Sequence, residues 1–485
     1  MIPSHALPGG LRIEAHKERS TRQPIRAASP VERYVLPLDQ HAGAPAVPLV
    51  KPGERVRMYQ PIARSAPGIS AWLHAPVSGE VVAIEPRPAP HRLGAPTLSV
   101  VISNDGRDEP FENAAAAVSF EQLSPAEACE HIACGGIVGL GGAAFPTAHK
   151  LESSLCENGP RLLLNGAECE PYISCDEMLM RERAEDIVFG ARALLHALCA
   201  QSCTIAIEAD VPDAYDALRR AIEKAADPRI HIKVVPAIYP AGGERQLIAS
   251  VFAVEVPHDG LPADIGVVCQ NVGTAAAVAR WVRDREPLIS RIVTVTGDGV
   301  HTAGNFATRI GTPFASLIGD CGGYTERMSR LIMGGSMMGA ALPHDDLPVV
   351  KATNCIVAAS TLDLQPRGPE MPCIRCGACS YVCPAFLLPQ QLHWYLRPYN
   401  GPQLERHGLL DCIECGCCDY VCPSQIPLAE RFREAKPLLT RELDARRNAD
   451  AARARFYARK ERLARLEAEH RAKLAALRRP KNQAP

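Results

Sequence analysis

The 485-residue chain contains no run of about 18 consecutive apolar residues, so no segment reads as a membrane-spanning helix. Its formal net charge is −1, and nothing in that balance calls for a nucleic-acid partner. The opening MIPSHALPGG has neither the positive n-region nor the apolar h-region of a secretory leader, which gives the expectation of a cytoplasmic chain. There are 19 cysteines, but nine of them crowd into two short stretches; that distribution in a long chain argues against a disulfide framework and for reduced, metal-binding thiols. Glycine and proline are missing from 438 to 479, where Ala, Arg, Leu and Glu dominate, and a basic helical tail is expected there. Residues 430–485 carry 17 Lys and Arg against 8 Asp and Glu, net +9, leaving −10 for the rest. The basic face of that helix is open to solvent, anionic lipid or an acidic subunit.

The cysteines themselves are the strongest feature. CIRCGACSYVCP at 373–384 returns as CIECGCCDYVCP at 412–423. Both copies have the CxxCxxCxxxCP spacing of bacterial ferredoxins, in which the fourth cysteine of each run ligates the cluster of the other. Cys373, Cys376, Cys379 and Cys422 are therefore assigned to one [4Fe-4S] cluster, and Cys412, Cys415, Cys418 and Cys383 to a second. Structural zinc is the competing reading, but zinc sites pair two CxxC knuckles across a longer gap. Cys417 falls outside the repeat and is expected to pack without binding iron. In the segment between the runs, Leu388, Leu392, Tyr395 and Leu396 recur at helical spacing, which predicts a helical hairpin.

At about one domain per 150 residues the chain holds about three or more modules. The fold class expected is multidomain α/β. Residues 1–118, with Pro52-Gly53 and Ser78-Gly79 turns between short alternating runs, read as a β barrel-sandwich. It is similar to biotinyl/lipoyl carriers, yet the hairpin SAPGISAWLHAP has no lysine for a swinging arm, so docking or scaffolding is expected of it. Residues 119–290 alternate strands (RLLLNGA, CTIAIEAD, HIKVVPAI) with helices (AEDIVFGARALLHAL, VPDAYDALRRAIEKAA), as a Rossmann-like α/β layer does. Residues 291–348 read as a small β-grasp, SLBB-like module, 349–370 as a linker of strand and loop material around VKATNCIVAAS, 371–432 as the α-helical two-cluster ferredoxin domain and 438–479 as the tail.

Gly135, Gly136, Gly139, Gly141 and Gly142 in GGIVGLGGAAFPTAHK, residues 135–150, precede a helix, and a glycine loop at a helix N-terminus suits a phosphate. A tight turn without a ligand fits the loop almost equally well. The order of this loop, NGAECEPYISCDEMLM (165–180), YPAGGERQLI (239–248) and CQNVGT (269–274) resembles that of the flavin- and NADH-binding subunit of respiratory complex I. With the amino-terminal barrel and both cysteine runs, the whole is similar to the C subunits of Rnf electron-transport complexes, over nearly all of residues 10–435.

The resemblance implies FMN bordered by Gly139, Gly141, Gly142 and Lys150, with Asn165 and Glu168 nearby, and further pocket positions at Gly243, Glu244 and Asn271. A solvated or capping role competes for Glu168 and Glu170. Leu140 and Ala144 replace the Arg and Gly usual in complex I, and Cys169 interrupts its acidic motif. No catalytic side chain is expected. The implied function is an oxidoreductase and translocase subunit, peripheral on the cytoplasmic side of the inner membrane. It would exchange electrons between NADH and other membrane subunits through FMN and two clusters, and with ferredoxin indirectly. A soluble NADH dehydrogenase subunit of a hydrogenase or formate dehydrogenase, and a non-catalytic iron–sulfur relay or scaffold, are the alternatives.

Overall fold

The computed structural model describes residues 9–90, 95–112, 119–154, 159–364 and 368–477. Four strands run parallel in the spatial order Ile230–Val235, Ser202–Glu208, Arg161–Gly166, Val267–Asn271. Helices cover both faces, so these strands read as unbroken apolar runs rather than alternating ones. Leu162 and Leu164 pack with Ile187, Ala191 and Val272, while Leu163 packs on the opposite face with Leu247, Ile248 and Val251. Helices Ala184–Ala197 and Val272–Asp284 approach so closely that a Cβ at Gly190 would collide with the Ala275 carbonyl.

The amino-terminal module is two antiparallel sheets. One orders Arg33–Pro37, Pro96–Asn104, Gly79–Pro88 and Arg55–Val56, the other Val47–Pro48, Pro61–Arg64 and Leu73–His74. Residues 9–27 are not part of it. They run as a strap over the other modules, and Arg26–Ala27 forms the edge of a six-stranded sheet with Gly304–Arg309, Ser290–Thr296, Cys355–Ala359, Arg330–Met333 and Ala340–Leu342. This corrects one expected boundary: 349–370 is not simply a linker, because Cys355–Ala359 is wholly buried at the centre of the β-grasp sheet. Its all-apolar CIVAA reads locally as strand material, but its partners Ser290–Thr296 and Arg330–Met333 are beyond the reach of local pattern.

The tail also differs from expectation. One helix spans Leu428–Leu477 with Pro437 inside it, so the cluster domain and the tail are continuous rather than divided at 432–438. Phe432, Ala435, Leu439 and Leu443 hold its first turns against the cluster domain, and that packing overrides the local cost of the proline. From 444 to 477 every residue is exposed; positions 478 and 479 of the expected tail lie outside the described residues. The hairpin between the cysteine runs is present as Pro389–Leu396 and Gly401–Arg406. Among the described residues no helix is long and apolar enough to cross a membrane.

Buried cations join the modules. Lys351 Nζ donates to the carbonyls of Trp72 (2.7 Å) and Gly136 (2.6 Å), tying the β-grasp module to the barrel and to the start of the glycine loop. Burial pushes Lys351 down to about 7. Burial, then the Lys351 charge, pushes His74 down to about 3 and His41 to about 4. Both imidazoles are thus held neutral in the fold. Below the usual 6.5 the unfolded chain binds more protons, so the stability these histidines support is complete above pH 6.5 and is lost as pH falls towards about 4 and then 3.

Urea unfolding is expected to show a loss on the order of a few kcal/mol between pH 7 and pH 4, with a flatter profile for His74→Leu. Gly190→Ala is expected to cost about 1–3 kcal/mol, read as a lower urea midpoint at unchanged slope.

Candidate functional site: a glycine-loop crevice beside two thiol pockets

The parallel sheet runs outward in both directions from Arg161–Gly166: the next two strands lie on one side of it and Val267–Asn271 on the other. A crevice opens at such a switch point, at the carboxyl ends of the strands. Asn165 and Asn271 are register partners there. Asn271 caps helix Val272–Asp284, accepting from Gly273 N at 2.8 Å, and its Nδ2 donates to Asp176 at 2.5 Å. Asn165 Nδ2 donates to the Gly242 carbonyl at 2.8 Å, and its Oδ1 accepts from Ala167 N.

The glycine loop sits over this point. Gly139 N donates to Phe145 O at 2.8 Å, closing the turn. Leu140 is clamped on both sides, its N–H by Thr274 Oγ1 (2.9 Å) and its carbonyl by Arg291 Nη2 (3.1 Å). A Cβ at Gly141 would stand 3.4 Å from the Asn271 side chain, and Gly142, at φ +113, has open space where a side chain would be. The backbone N–H groups of Gly141 and Gly142 make no hydrogen bond within the described residues. Helix Val272–Asp284 begins beside Gly141, whose Cβ position faces its N-cap Asn271, and helix Glu244–Phe252 begins one residue after Gly243, next to the Gly242 carbonyl that Asn165 holds. Free amides in a glycine loop at a helix N-terminus are a donor set, a cradle that fits the phosphate of a mononucleotide. At its rim Lys150 Nζ pairs with Glu244 Oε1 at 2.5 Å.

Glu168 is placed differently. Its carboxylate is buried and accepts from the N–H groups of Asp176 (3.0 Å) and Glu177 (3.2 Å), capping helix Cys175–Glu182. Burial, then the Asp176 charge, pushes Glu168 up, and Lys17 opposes them. Glu168 is linked to Asn271 through Asp176, from whose N–H it accepts and whose carboxylate accepts from Asn271 Nδ2. Glu170 instead holds a turn of the β-grasp module, accepting from Met337 N (2.7 Å) and Met338 N (2.9 Å) between strands Arg330–Met333 and Ala340–Leu342. Sequence reasoning does not single out Asp176, Thr274 or Arg291. The first two lie inside quoted motifs, whereas Arg291 is 151 positions from the loop it clamps and has no local signal.

In the cluster domain each cysteine run bends through equivalent left-handed positions, Arg375 and Gly377 in one, Glu414 and Gly416 in the other, and this curls the first three thiols inward. One pocket is lined by Cys373, Cys376, Cys379 and Cys422, the other by Cys383, Cys412, Cys415 and Cys418. The fourth thiol crosses over in both cases. Each pocket thus brings together four cysteines, three from one run and one from the other, the complement that a [4Fe-4S] cluster takes. The two pockets differ in depth: Cys373 and Cys376 are exposed, while Cys415 and Cys418 are buried. Cys417 also borders the inner pocket, and packs against Tyr239 at the junction with the flavin-type domain.

A glycine-loop crevice at the switch point of a parallel sheet, in one chain with two four-thiol pockets of ferredoxin spacing, defines a multidomain protein of the dicluster iron–sulfur class. Residues 5–107 match the RnfC barrel sandwich hybrid domain, 132–280 the Nuo51 FMN-binding domain, 292–341 the SLBB domain and 372–426 the 4Fe-4S dicluster domain. The chain is 46% identical over 465 residues to the C subunit of the ion-translocating oxidoreductase complex of Pseudomonas aeruginosa, covering 96% of this chain and 60% of that one. It is 43% identical to the C subunit from Yersinia pestis bv. Antiqua, covering 94% and 73%. The chain belongs to the family of C subunits of ion-translocating oxidoreductase complexes, and spans about 60% of the length of the Pseudomonas relative. A solved NAD+-reducing [NiFe]-hydrogenase overlaps it at TM-score 0.46 and 18% identity, over 66% of this chain and 63% of that one, too slight a likeness to bear on fold or function.

Cys422→Ser is expected to abolish or alter the EPR signal of the outer cluster, although Cys422 belongs to the inner run. Cys383→Ser is expected to do the same to the inner one. Each variant should lose up to about four of about eight irons, measured on anaerobically purified protein.

Proposed function

We propose that this chain exchanges electrons between NAD(H) and other subunits of a membrane-bound ion-translocating complex, through FMN in the glycine-loop crevice and two [4Fe-4S] clusters in the cysteine pockets. Ferredoxin is an indirect partner, and the chain is peripheral on the cytoplasmic side of the inner membrane. The observation that carries the reading is continuity. Segment 239–244 has Glu244 at the rim of the cradle, paired with Lys150, and Tyr239 against the inner thiol pocket.

NADH delivers two electrons as a hydride and a [4Fe-4S] cluster accepts one, and FMN is the cofactor that converts between them. The protein's part is to bind and to orient. The N–H groups of Gly141 and Gly142 and the N-terminus of Val272–Asp284 would hold the phosphate, and Lys150, paired with Glu244, would add its charge. Asn271, held by Asp176, and Asn165, held by Gly242, are fixed polar groups facing the crevice between the two strands. No nucleophile or proton-transfer dyad is required. The fixed geometry sets binding and potential, and the chemistry belongs to the cofactors.

Anaerobically purified protein is expected to release one FMN and about eight irons per chain, and NADH is expected to bleach both flavin and cluster absorbance. Clusters without flavin, or no bleaching, would instead support the relay or scaffold reading.

A further inference from the structure

The carbonyls of two inner-run cysteines receive side-chain donors. Lys436, from the cluster domain's own long helix, donates to Cys412 O. The other donor comes from outside the domain: Tyr239 Oη donates to Cys415 O at 2.6 Å, and the buried Glu170 carboxyl stands at the same hydroxyl. Tyr239 is only 3% exposed and its backbone is fixed, since it donates to Leu11 O (3.0 Å) and accepts from Leu11 N (2.7 Å). Gly10 N of the same strap donates to Val382 O, next to Cys383. No side chain among the described residues donates to the carbonyls of Cys373, Cys376 or Cys379 in the outer run.

We infer that Tyr239 is a positioning residue through which the flavin-type domain sets the reduction potential of the inner cluster. The inference rests on the proposed reading that the Cys412 run holds a [4Fe-4S] cluster. Reduction adds one electron and no proton, so it adds one negative charge to a buried pocket where dipoles act strongly. The Cys415 carbonyl oxygen is the negative end of a dipole in that pocket, and the phenol O–H offsets it. Without the O–H, the bare oxygen opposes the added electron. Hydrogen bonds in the outer shell tune bound metal centres in this way, and here the donor is carried by the same segment, 239–244, that reaches the cradle.

The test is an EPR-monitored redox titration of the purified full chain, with iron and FMN counted. In Tyr239→Phe one of the two cluster midpoints is expected to fall, by a loss in electron affinity of up to about tenfold, about 59 mV for one electron, while the other midpoint, iron and FMN stay unchanged. Lys436→Met should lower the same midpoint, which identifies it as the inner cluster. Site-specific 3-fluorotyrosine at 239, a stronger donor of the same shape, should raise it, and decides the matter if Tyr239→Phe does not load. Unmoved midpoints, equal shifts of both clusters, or iron loss in both Tyr239 variants would overturn the inference. A wild-type chain without clusters would instead overturn the proposed function.

Discussion

The buried contact among Tyr239, Cys415 and Cys417, with Leu11, Ile13, Cys169, Met337 and Val382 around it, is the constraint on which the arrangement depends. Four parts of the chain meet there: the amino-terminal strap, the parallel α/β domain, the β-grasp module and the inner cysteine loop. Electron transfer between fixed centres needs fixed separation, and a cluster domain on a loose linker would not provide it. The strap pairs with Tyr239 and Val382 at once, so the cluster domain is held by backbone hydrogen bonds as well as by apolar packing.

The same principle governs the crevice. Its glycine loop has little side chain to pack with, and its position is dictated by groups behind it. Arg291 and Thr274 clamp Leu140, and Lys351 holds the Gly136 carbonyl from beneath. Glu168, Asp176 and Asn271 form a buried relay of hydrogen bonds from a helix cap to the strand end. These residues act by removing freedom from the cradle, a preorganisation suited to a protein whose chemistry is supplied by bound groups.

Much of this is legible from local pattern. The helices at 184–197 and 212–225 carry strong 3.6-residue periodicity, and the buried parallel strands are short apolar runs between turns. The cysteine spacing specifies both the pockets and the crossing of the fourth thiol, because that thiol lies beyond the loop formed by the first three and the proline after it prevents a return. Glu168 is legible only as an acidic residue near the flavin motif. Its capping role depends on helix Cys175–Glu182 turning back over it. The Cys355–Ala359 stretch is legible as strand material, but its place at the centre of the β-grasp sheet is set by pairing with distant strands.

What the sequence determined alone is the inventory: two duplicated thiol runs, a glycine loop and alternating α/β segments, each specified by short-range spacing. The tertiary structure decided which cluster is inner and which outer, since burial of Cys415 and exposure of Cys373 follow from docking against Tyr239. It also decided that segment 9–27 straps the modules together, and that one helix runs unbroken from the cluster domain into solvent. Those outcomes arise from contacts between residues far apart along the chain, and such contacts leave no periodicity in the sequence that makes them.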